Sequence, residues 1–531
     1  MLAVVHNSPS VNRKKFDFAI VGSGFSGSLL AWILASQGRS VVLVDKATHP
    51  RFAIGESSTP TADFLLAFLA ERWNLSTLAP LACYGTWKTH FPNLPCGKKR
   101  GFSYYAHQQN QPLNHNKITQ NSLLVAASSQ DQWSDTHWLR SSVDAFLADQ
   151  ATQAGVQLLQ QTSIATANFD PTSHRWTIDL IQSSPNNNNS NSNSDSNRNS
   201  DSMPIASLHA TWIIDATGPH GPIAPWTKNA DNSHWMRTQT GAVFGHFSGV
   251  EPFAPAYHPA DPFCCDDAAQ HHLLNQGWVW MLRFDHGVTS VGWVHPSSNT
   301  PRTTEDFWNT IQSHPSLGKL MQNASLIEPI KMGSIQRISR CRSNAFGPGW
   351  IALPVAFGFV DPLHSTGIAH ALSGVCRLAE LLQVNASDVY PKLMIYQADL
   401  MSELNWLDTL VAGCYAAQPS FDNFYAFACF YFIAAIEFEK QLAKDPSHWP
   451  LGFLQASDDE LRNTAESAYQ SLLQNSNDLF SMRQFRENVR KNIARWNTVG
   501  LLDPTNLNRI AHSAAPKYAS VVHSLCRNLP K

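Results

Sequence analysis

The chain is poor in charge, in paired cysteines and in membrane-length apolar runs. Charged residues fill 15% of its 531 positions, below the ~25% of ordinary globular proteins. Lys+Arg 38 against Asp+Glu 40 leaves a net charge of −2, so no basic excess is present to neutralise nucleic-acid phosphates, and small molecules are the expected partners. The nine cysteines are an odd number with no Cys-x-x-Cys pair, which points to a reducing cytoplasm and away from structural zinc. The longest apolar run, Phe424–Ile436, is shorter than the ~20 residues that span a bilayer. It reads as a buried helix, and no membrane span is expected. Met1–Lys15 has no continuous apolar stretch leading to a small-residue cleavage site, so it does not read as a secretory signal. Neither a Gly-x-Ser-x-Gly elbow nor a phosphate-binding Gly-x4-Gly-Lys-Ser/Thr loop occurs. His271-His272 and Cys264-Cys265 lack the spacing of metal ligands, so no metal is expected.

What is present starts with 43% apolar residues, enough for large cores in two or three units. Phe16–Val21 is a short β-rich run, Ser28–Gln37 is helix-like, and Ser40–Val44 is a second strand ending at Asp45, which together make a βαβ unit. Ser and Asn fill nearly all of Ser183–Ser202, which reads as a disordered insertion lengthening a hairpin between Trp176–Ile181 and Ile205–Ile214. Trp278–Trp293 reads as strand, turn and strand around Asp285-His-Gly287, and Trp350–Val355 as a buried strand. Ile368–Val384, Tyr390–Ala412, Phe421–Leu442 and Asp458–Asn475 carry apolar residues at helical spacing. The expected organisation is one unit over 16–375 with an inserted β-rich substrate region, then a mostly helical module over 376–531.

Between the first strand and helix stands Gly22-Ser-Gly24-Phe-Ser-Gly27. Gly22 permits the tight turn, Gly24 the approach of a pyrophosphate, and Gly27 close packing of helix on strand. Asp45, near the expected spacing, suits a ribose. The helix N-terminus offers unpaired N–H groups to phosphates. Two distant segments return to the same place: the strand ending in Asp215-Ala-Thr-Gly218, and Trp350–Val355 leading into Phe359–Gly367. A sheet built from distant parts of the chain points to FAD rather than a nicotinamide domain.

Four segments together resemble the flavin-dependent halogenases. They are Gly22–Gly27; Arg51-Phe-Ala-Ile-Gly55-Glu56-Ser57-Ser-Thr-Pro60; Gly85-Thr-Trp-Lys88; and Phe359-Val-Asp-Pro362-Leu-His-Ser365-Thr-Gly367, which fits F-x-x-P-x-x-S-x-G at all four fixed positions. The resemblance covers Asp17 to about Ala443. It implies an α/β, Rossmann-like FAD-binding fold of the flavin monooxygenase/halogenase type, with a β-rich middle segment and a helical C-terminal module. It further implies reduced FAD delivered by a separate flavin reductase, and O2 and a halide converted to hypohalous acid. A lysine then passes the halogen to an aromatic or otherwise electron-rich small molecule, free or carrier-tethered. The implied catalytic residues are Lys88, His364 and Ser365, with halide on the backbone of Thr366 and Gly367. The implied cofactor contacts add Glu56, Ser57, Arg140, Gly218, Pro362, Gly367 and Ile368 to the glycine turn and Asp45. A relay lysine works better if burial lowers its pKa, because the neutral amine is the nucleophile. Lys88 is otherwise a solvated surface lysine.

Several positions depart from the family pattern. His364 stands where tryptophan halogenases carry a glutamate; imidazole can move a proton, or simply hold a packed loop. The W-x-W-x-I-P segment appears as Trp278-Val-Trp280-Met-Leu282-Arg283, whose tryptophans equally fit one face of a core strand. Arg283 and His364 keep a flavin monooxygenase as the first rival; a non-catalytic flavoprotein is the second. Pro354-Val355 replaces the Gly-Asp of aromatic hydroxylases. Trp133–Asp144 opens a helix in which Arg140 either reaches the flavin or pairs with Asp144 at i,i+4. Lys98, Lys99 and Arg100 read as a solvated loop. Trp406, Tyr415, Phe421, Tyr425 and Phe430 are weak candidates for substrate contact.

Overall fold

The computed structural model describes residues 14–183, 205–219, 221–253, 258–383, 386–444, 452–474 and 479–512. The Ser/Asn tract from position 184 and the N-terminal residues through 13 lie outside the described residues.

The βαβ unit forms as read. Strand Lys14–Val21 lies between Val41–Val44 and Ala206–Asp215, parallel to both. Gln157–Leu159 extends one side and Trp350–Ala352 the other, again in parallel. Val41–Val44 is buried throughout, and such continuous apolar strands are what a parallel sheet covered on both faces requires. Helix Phe25–Ser36 buries its first ten residues. Arg175–Gln182 and Ala206–Asp215 pair antiparallel in the expected hairpin.

The strand expected over Trp350–Val355 ends at Ala352, and a short helix, Pro354–Phe357, follows. Proline cannot donate to a strand ladder but suits the first helical position. The segment before Arg140 also differs: Asp135–Trp138 is a strand, and the helix is Arg140–Gln153.

A second eight-stranded sheet is built in the order Ser325–Ile335, Thr240–Ser248, Thr289–Pro296, Trp278–Arg283, Ala268–Leu273, Gly101–Ala106, Ser122–Ala126 and Arg509–Ile510. Its hairpin Trp278–Arg283/Thr289–Pro296 turns through Gly287 at φ 84°. Between the sheets lies a two-stranded ribbon of Cys96–Lys99 and Asp135–Trp138. Ser57 bridges to His137 of that ribbon, and Trp138 N donates to Glu56 O at 2.6 Å.

Helices Thr366–Leu381, Ala386–Ala417, Phe421–Lys444 and Asp459–Gln474 occupy the expected C-terminal stretches. The first runs unbroken through position 375 and packs on Phe25–Ser36 and Pro60–Arg72. Phe421–Lys444 is long and apolar enough to cross a bilayer, yet 83% of its most apolar window is packed inside the protein. It is the buried helix read from Phe424–Ile436.

The glycine turn is a tight joint. A Cβ on Gly22 would meet Ala216 O at 2.7 Å, and one on Gly27 would collide with Gly22 O and meet Ala216 Cβ at 2.8 Å. Gly27→Ala is therefore expected to cost about 1–3 kcal/mol by overpacking, read as a lower midpoint in chemical denaturation. An unchanged midpoint would contradict this account of the turn.

Candidate active site

The mouth of the glycine turn faces charge. A Cβ on Gly24 would lie 3.6 Å from Arg51 Nη2, 3.7 Å from Arg140 Nη2 and 3.7 Å from Asp144 Oδ2. Asp144 has no solvent exposure; it accepts from Phe25 N at 3.2 Å and so caps the first helix. Arg140 grips Asp144 with Nε at 2.8 Å and Nη2 at 3.0 Å, and its Nη1 donates to Ile54 O at 2.8 Å and Gly55 O at 3.1 Å. The i,i+4 pair forms, and the same guanidinium braces the loop around Glu56. Asp45 accepts from Ser23 N at 2.8 Å, Ser23 Oγ at 2.7 Å and Ala47 N at 2.9 Å. Burial works against its charge, but Arg51 and these hydrogen bonds hold its carboxyl below the usual range. Gly218, at φ 64°, ends the Ala-Thr-Gly turn, held by Asp215 accepting from Thr217 Oγ1 at 2.6 Å.

Glu56 does not face the glycine turn as a free carboxylate. It is buried and accepts from His246 Nε2 at 2.8 Å. Burial lowers the imidazole, but Glu56 outweighs it and raises the His246 pKa, and the contact ties the loop to the second sheet. Ser57 Oγ is buried without a hydrogen-bond partner, which suits a polar ligand. Together with the open side of Gly24, this fits a phosphate-bearing flavin.

The last motif forms the start of a helix. Ser365 sits at φ 52° just ahead of Thr366–Leu381, its N–H donating to Pro362 O at 2.9 Å. Ser365 makes no side-chain capping bond, so among the described residues the N–H groups of Thr366 and Gly367 stay available to an anion. A Cβ on Gly367 would press on the Phe359 ring at 3.1 Å. Ile368 is buried and packs into the core. Asp361 accepts from Thr240 Oγ1 at 2.6 Å and Tyr415 OH at 3.1 Å, and Tyr415 accepts from Trp278 Nε1 at 2.8 Å. The first tryptophan of the W-x-W segment is thereby wired to the last motif. Trp280 instead donates to Ser290 Oγ at 3.1 Å. Arg283 bonds Asp266 at 2.6 Å and the carbonyls of Val250 and Glu251, so the arginine that replaces the family's proline anchors a loop.

His364 is fully buried, stacked on Tyr431 with centroids 4.3 Å apart, its Nε2 3.6 Å from Cys414 Sγ. Burial pushes it down to about 3, with His271 adding to the effect. It is a neutral imidazole at physiological pH, not an imidazolium acid. Of the aromatic candidates, Tyr415 belongs to this network. Trp406 donates to Leu454 O at 2.7 Å and Tyr425 OH accepts from Leu502 N at 2.8 Å; both are committed to holding the backbone, and Phe430 is wholly in the core.

The two lysines reverse their expected places. Lys88, on helix Tyr84–His90, is 32% exposed, with Nζ 2.9 Å from Asp285. The hydrogen bond it donates to that carboxylate raises its pKa, so the expectation of a lowered one is not met. Lys99 stands in a strand rather than a solvated loop and has 0% exposure. Its Nζ donates to Ser58 O, beside Ser57, and lies 3.9 Å from the Phe102 ring centroid. Burial pulls its pKa down to about 8, against the opposing pull of Asp135, Asp63 and Glu439. Lys98 and Arg100 remain partly exposed on Asp131. The sequence reading missed Lys99 and its three carboxylates. A signal was present in Phe102-Ser-Tyr104, whose alternation marks a buried strand directly after the basic run.

Comparison with known proteins agrees with this fold. The tryptophan halogenase family model matches residues 97–426, and a NAD(P)-binding Rossmann-like domain matches 20–66. Monodechloroaminopyrrolnitrin halogenase PrnC of Pseudomonas fluorescens is 24% identical over 434 residues, 78% of this chain and 70% of the relative. Tetracycline 7-halogenase of Kitasatospora aureofaciens is 24% identical over 417 residues, 75% of this chain and 69% of the relative. The structure of halogenase PltM in complex with phloroglucinol and FAD has the same fold, with a TM-score of 0.79 at 20% identity, covering 93% of this chain and 99% of that one. Since the family model spans more than half of its length, the chain belongs to the tryptophan halogenase family and is an FAD-dependent halogenase.

Proposed function

We propose that the chain takes reduced FAD from a separate flavin reductase and halogenates an electron-rich, uncharged aromatic small molecule, with Lys99 rather than Lys88 as the halogen relay. The observation that carries this reading is the solvent-free Lys99 amine bonded to Ser58 of the flavin loop. The chemistry FAD supplies when bound is two-electron reduction of O2, which with a halide ion and a proton yields hypohalous acid, water and oxidised FAD.

The residues of the chain do the rest. Gly22, Gly24, Gly27 and Gly218 give the cofactor backbone to lie against, Asp45 holds its ribose, and Ser57 offers an unused hydroxyl. Arg140 keeps the loop in place by its carbonyl contacts, and Glu56 does so through His246. The uncapped N–H groups of Thr366 and Gly367 suit the halide. The Lys99 amine, brought from an ordinary pKa near 10.5 to about 8, raises its neutral fraction at pH 7 from roughly one in 3,000 to roughly one in ten. Its nitrogen attacks the halogen, the O–X bond breaks, and hydroxide leaves as water with an N–H proton. The aromatic carbon then takes the halogen, and its proton ends on the nitrogen. Phe102, Tyr104 and His271 wall this region, with Tyr104 and His271 stacked at 4.4 Å, which favours a flat ring. The phloroglucinol held by PltM supports the same class. Chloride and bromide both suit the halide site. The eight described cysteines are free thiols, which supports a cytoplasmic setting.

Mass spectrometry of products from purified protein, FAD, flavin reductase, NADH and bromide or chloride, against indoles, phenols and pyrroles, tests the reading. A halogen isotope pattern is expected; Lys99→Ala should lower its yield at least about a hundredfold and Lys88→Ala should leave it within a few-fold. Loss with Lys88→Ala alone would overturn the relay assignment, and a product heavier by one oxygen would make the protein a monooxygenase. Arg140→Lys, which loses the two-point grip on Asp144, should weaken FAD binding about tenfold in a fluorescence titration. Unchanged affinity would remove Arg140 from the cofactor site.

A further inference from the structure

We propose that Asp135, backed by Asp63 and Glu439, is the internal proton acceptor that frees the Lys99 amine, making it a positioning residue for the relay. This rests on Lys99 being the relay. Strand pairing sets Asp135 directly opposite Lys99 in the ribbon, and the two side chains, 1% and 0% exposed, approach to 3.8 Å between Oδ2 and Nζ. That Oδ2 is buried without a hydrogen-bond partner. An ammonium carries three donors, yet among the described residues only Ser58 O accepts from Nζ at hydrogen-bond distance. The site leaves an ammonium under-satisfied and a carboxylate oxygen unused, side by side.

Each of the other carboxylates arrives from a different element. Asp63, on helix Pro60–Arg72, hydrogen-bonds Asp135. Glu439, on helix Phe421–Lys444, accepts from Thr61 Oγ1 at 3.1 Å. Cys83 sits beside Asp63. His137 and His271 also face Lys99, but burial takes both down to about 3, so they add no charge. Three carboxylates and one amine out of reach of water cannot all be ionised. Burial pushes Asp63 well up, Asp135 to about 7 and Glu439 to about 8. Asp63 is thus the protonated donor to Asp135, and the mobile proton is the one between Asp135 and Lys99.

The step balances within the pair. One N–H bond of the ammonium breaks, one O–H bond forms on Asp135, and neutral amine plus carboxylic acid replace the two ions. The amine then turns over as above, regaining the proton of the aromatic carbon, while Asp135 keeps its own. While the pair holds one proton between them, the amine shares it with Asp135 to the same extent at each pH, and the titration near 8 is the loss of that shared proton to water.

The test is the ratio of halogenation rates, Asp135→Asn over wild type, between about pH 6 and 8 with phloroglucinol as probe, on full-length protein with matched FAD and halide. In the variant the amine must release its proton to solvent, so the ratio should climb by up to about tenfold per pH unit; a purely structural role would lower it equally at every pH. Glu439→Gln and Asp63→Asn copy the protonated acids, so whatever rate they keep, their ratio to wild type should not change with pH. Independently of turnover, infrared spectra of the wild type at pH 7 should show the carbonyl stretch of buried, protonated carboxylic acids, which serves if Asp135→Asn does not fold. A flat Asp135→Asn ratio, or no such band, overturns the acceptor assignment while Lys99→Ala stays inactive. An active Lys99→Ala would instead remove the relay reading on which it rests.

Discussion

A lysine without solvent exposure, fastened to a loop carbonyl, makes demands on everything around it. Its amine cannot stay an ordinary ammonium, because burying a lone charge costs several kcal/mol. The protein meets that demand with one accepting carbonyl from Ser58, an aromatic face from Phe102 and three carboxylates. Those carboxylates come from the ribbon, the helix after the flavin loop and a C-terminal core helix. The cluster therefore holds together parts of the chain that belong to different layers of the fold.

The same logic runs through the supports of the loop itself. Glu56 is spent on His246 of the second sheet, Arg140 on Asp144 and two loop carbonyls, and Trp138 on the Glu56 carbonyl. The loop that would meet the flavin ring is thus pinned by the second sheet, the ribbon and helix Arg140–Gln153. On the other side, Thr240, Trp278 and Tyr415 converge on Asp361, just ahead of the helix start that would face the halide. A relay over a fixed distance needs both ends rigid, and each end is fixed to the second sheet.

The parts of this arrangement that were legible in the sequence are those punctuated locally. Gly22-x-Gly24-x-x-Gly27 lies between a strand and a helix, the last motif opens a helix at Thr366, and the long C-terminal helices show their period. Trp350–Val355 was misread in length because Pro354 ends a ladder that the apolar pattern alone continues. The surroundings of the lysines were misread because burial is a tertiary property. Lys88 sits in a segment resembling the family's, yet the hairpin turn brings Asp285 to it and keeps it charged at the edge. Lys99 looks like one more residue of a basic run until strand pairing sets it against Asp135. The partners of Glu56 and His364, His246 and Tyr431, are likewise distant in sequence and could not be read from it.

The account stands on the state of one amine. The most direct measurement is the titration of Lys99 in the full chain, followed by NMR with isotope-labelled lysine and identified by the resonance missing in Lys99→Arg. A midpoint near 8, well under the ordinary 10.5, is the predicted result. A midpoint at or above the ordinary value would mean a solvated or fully ion-paired ammonium, and would contradict Lys99 as the relay.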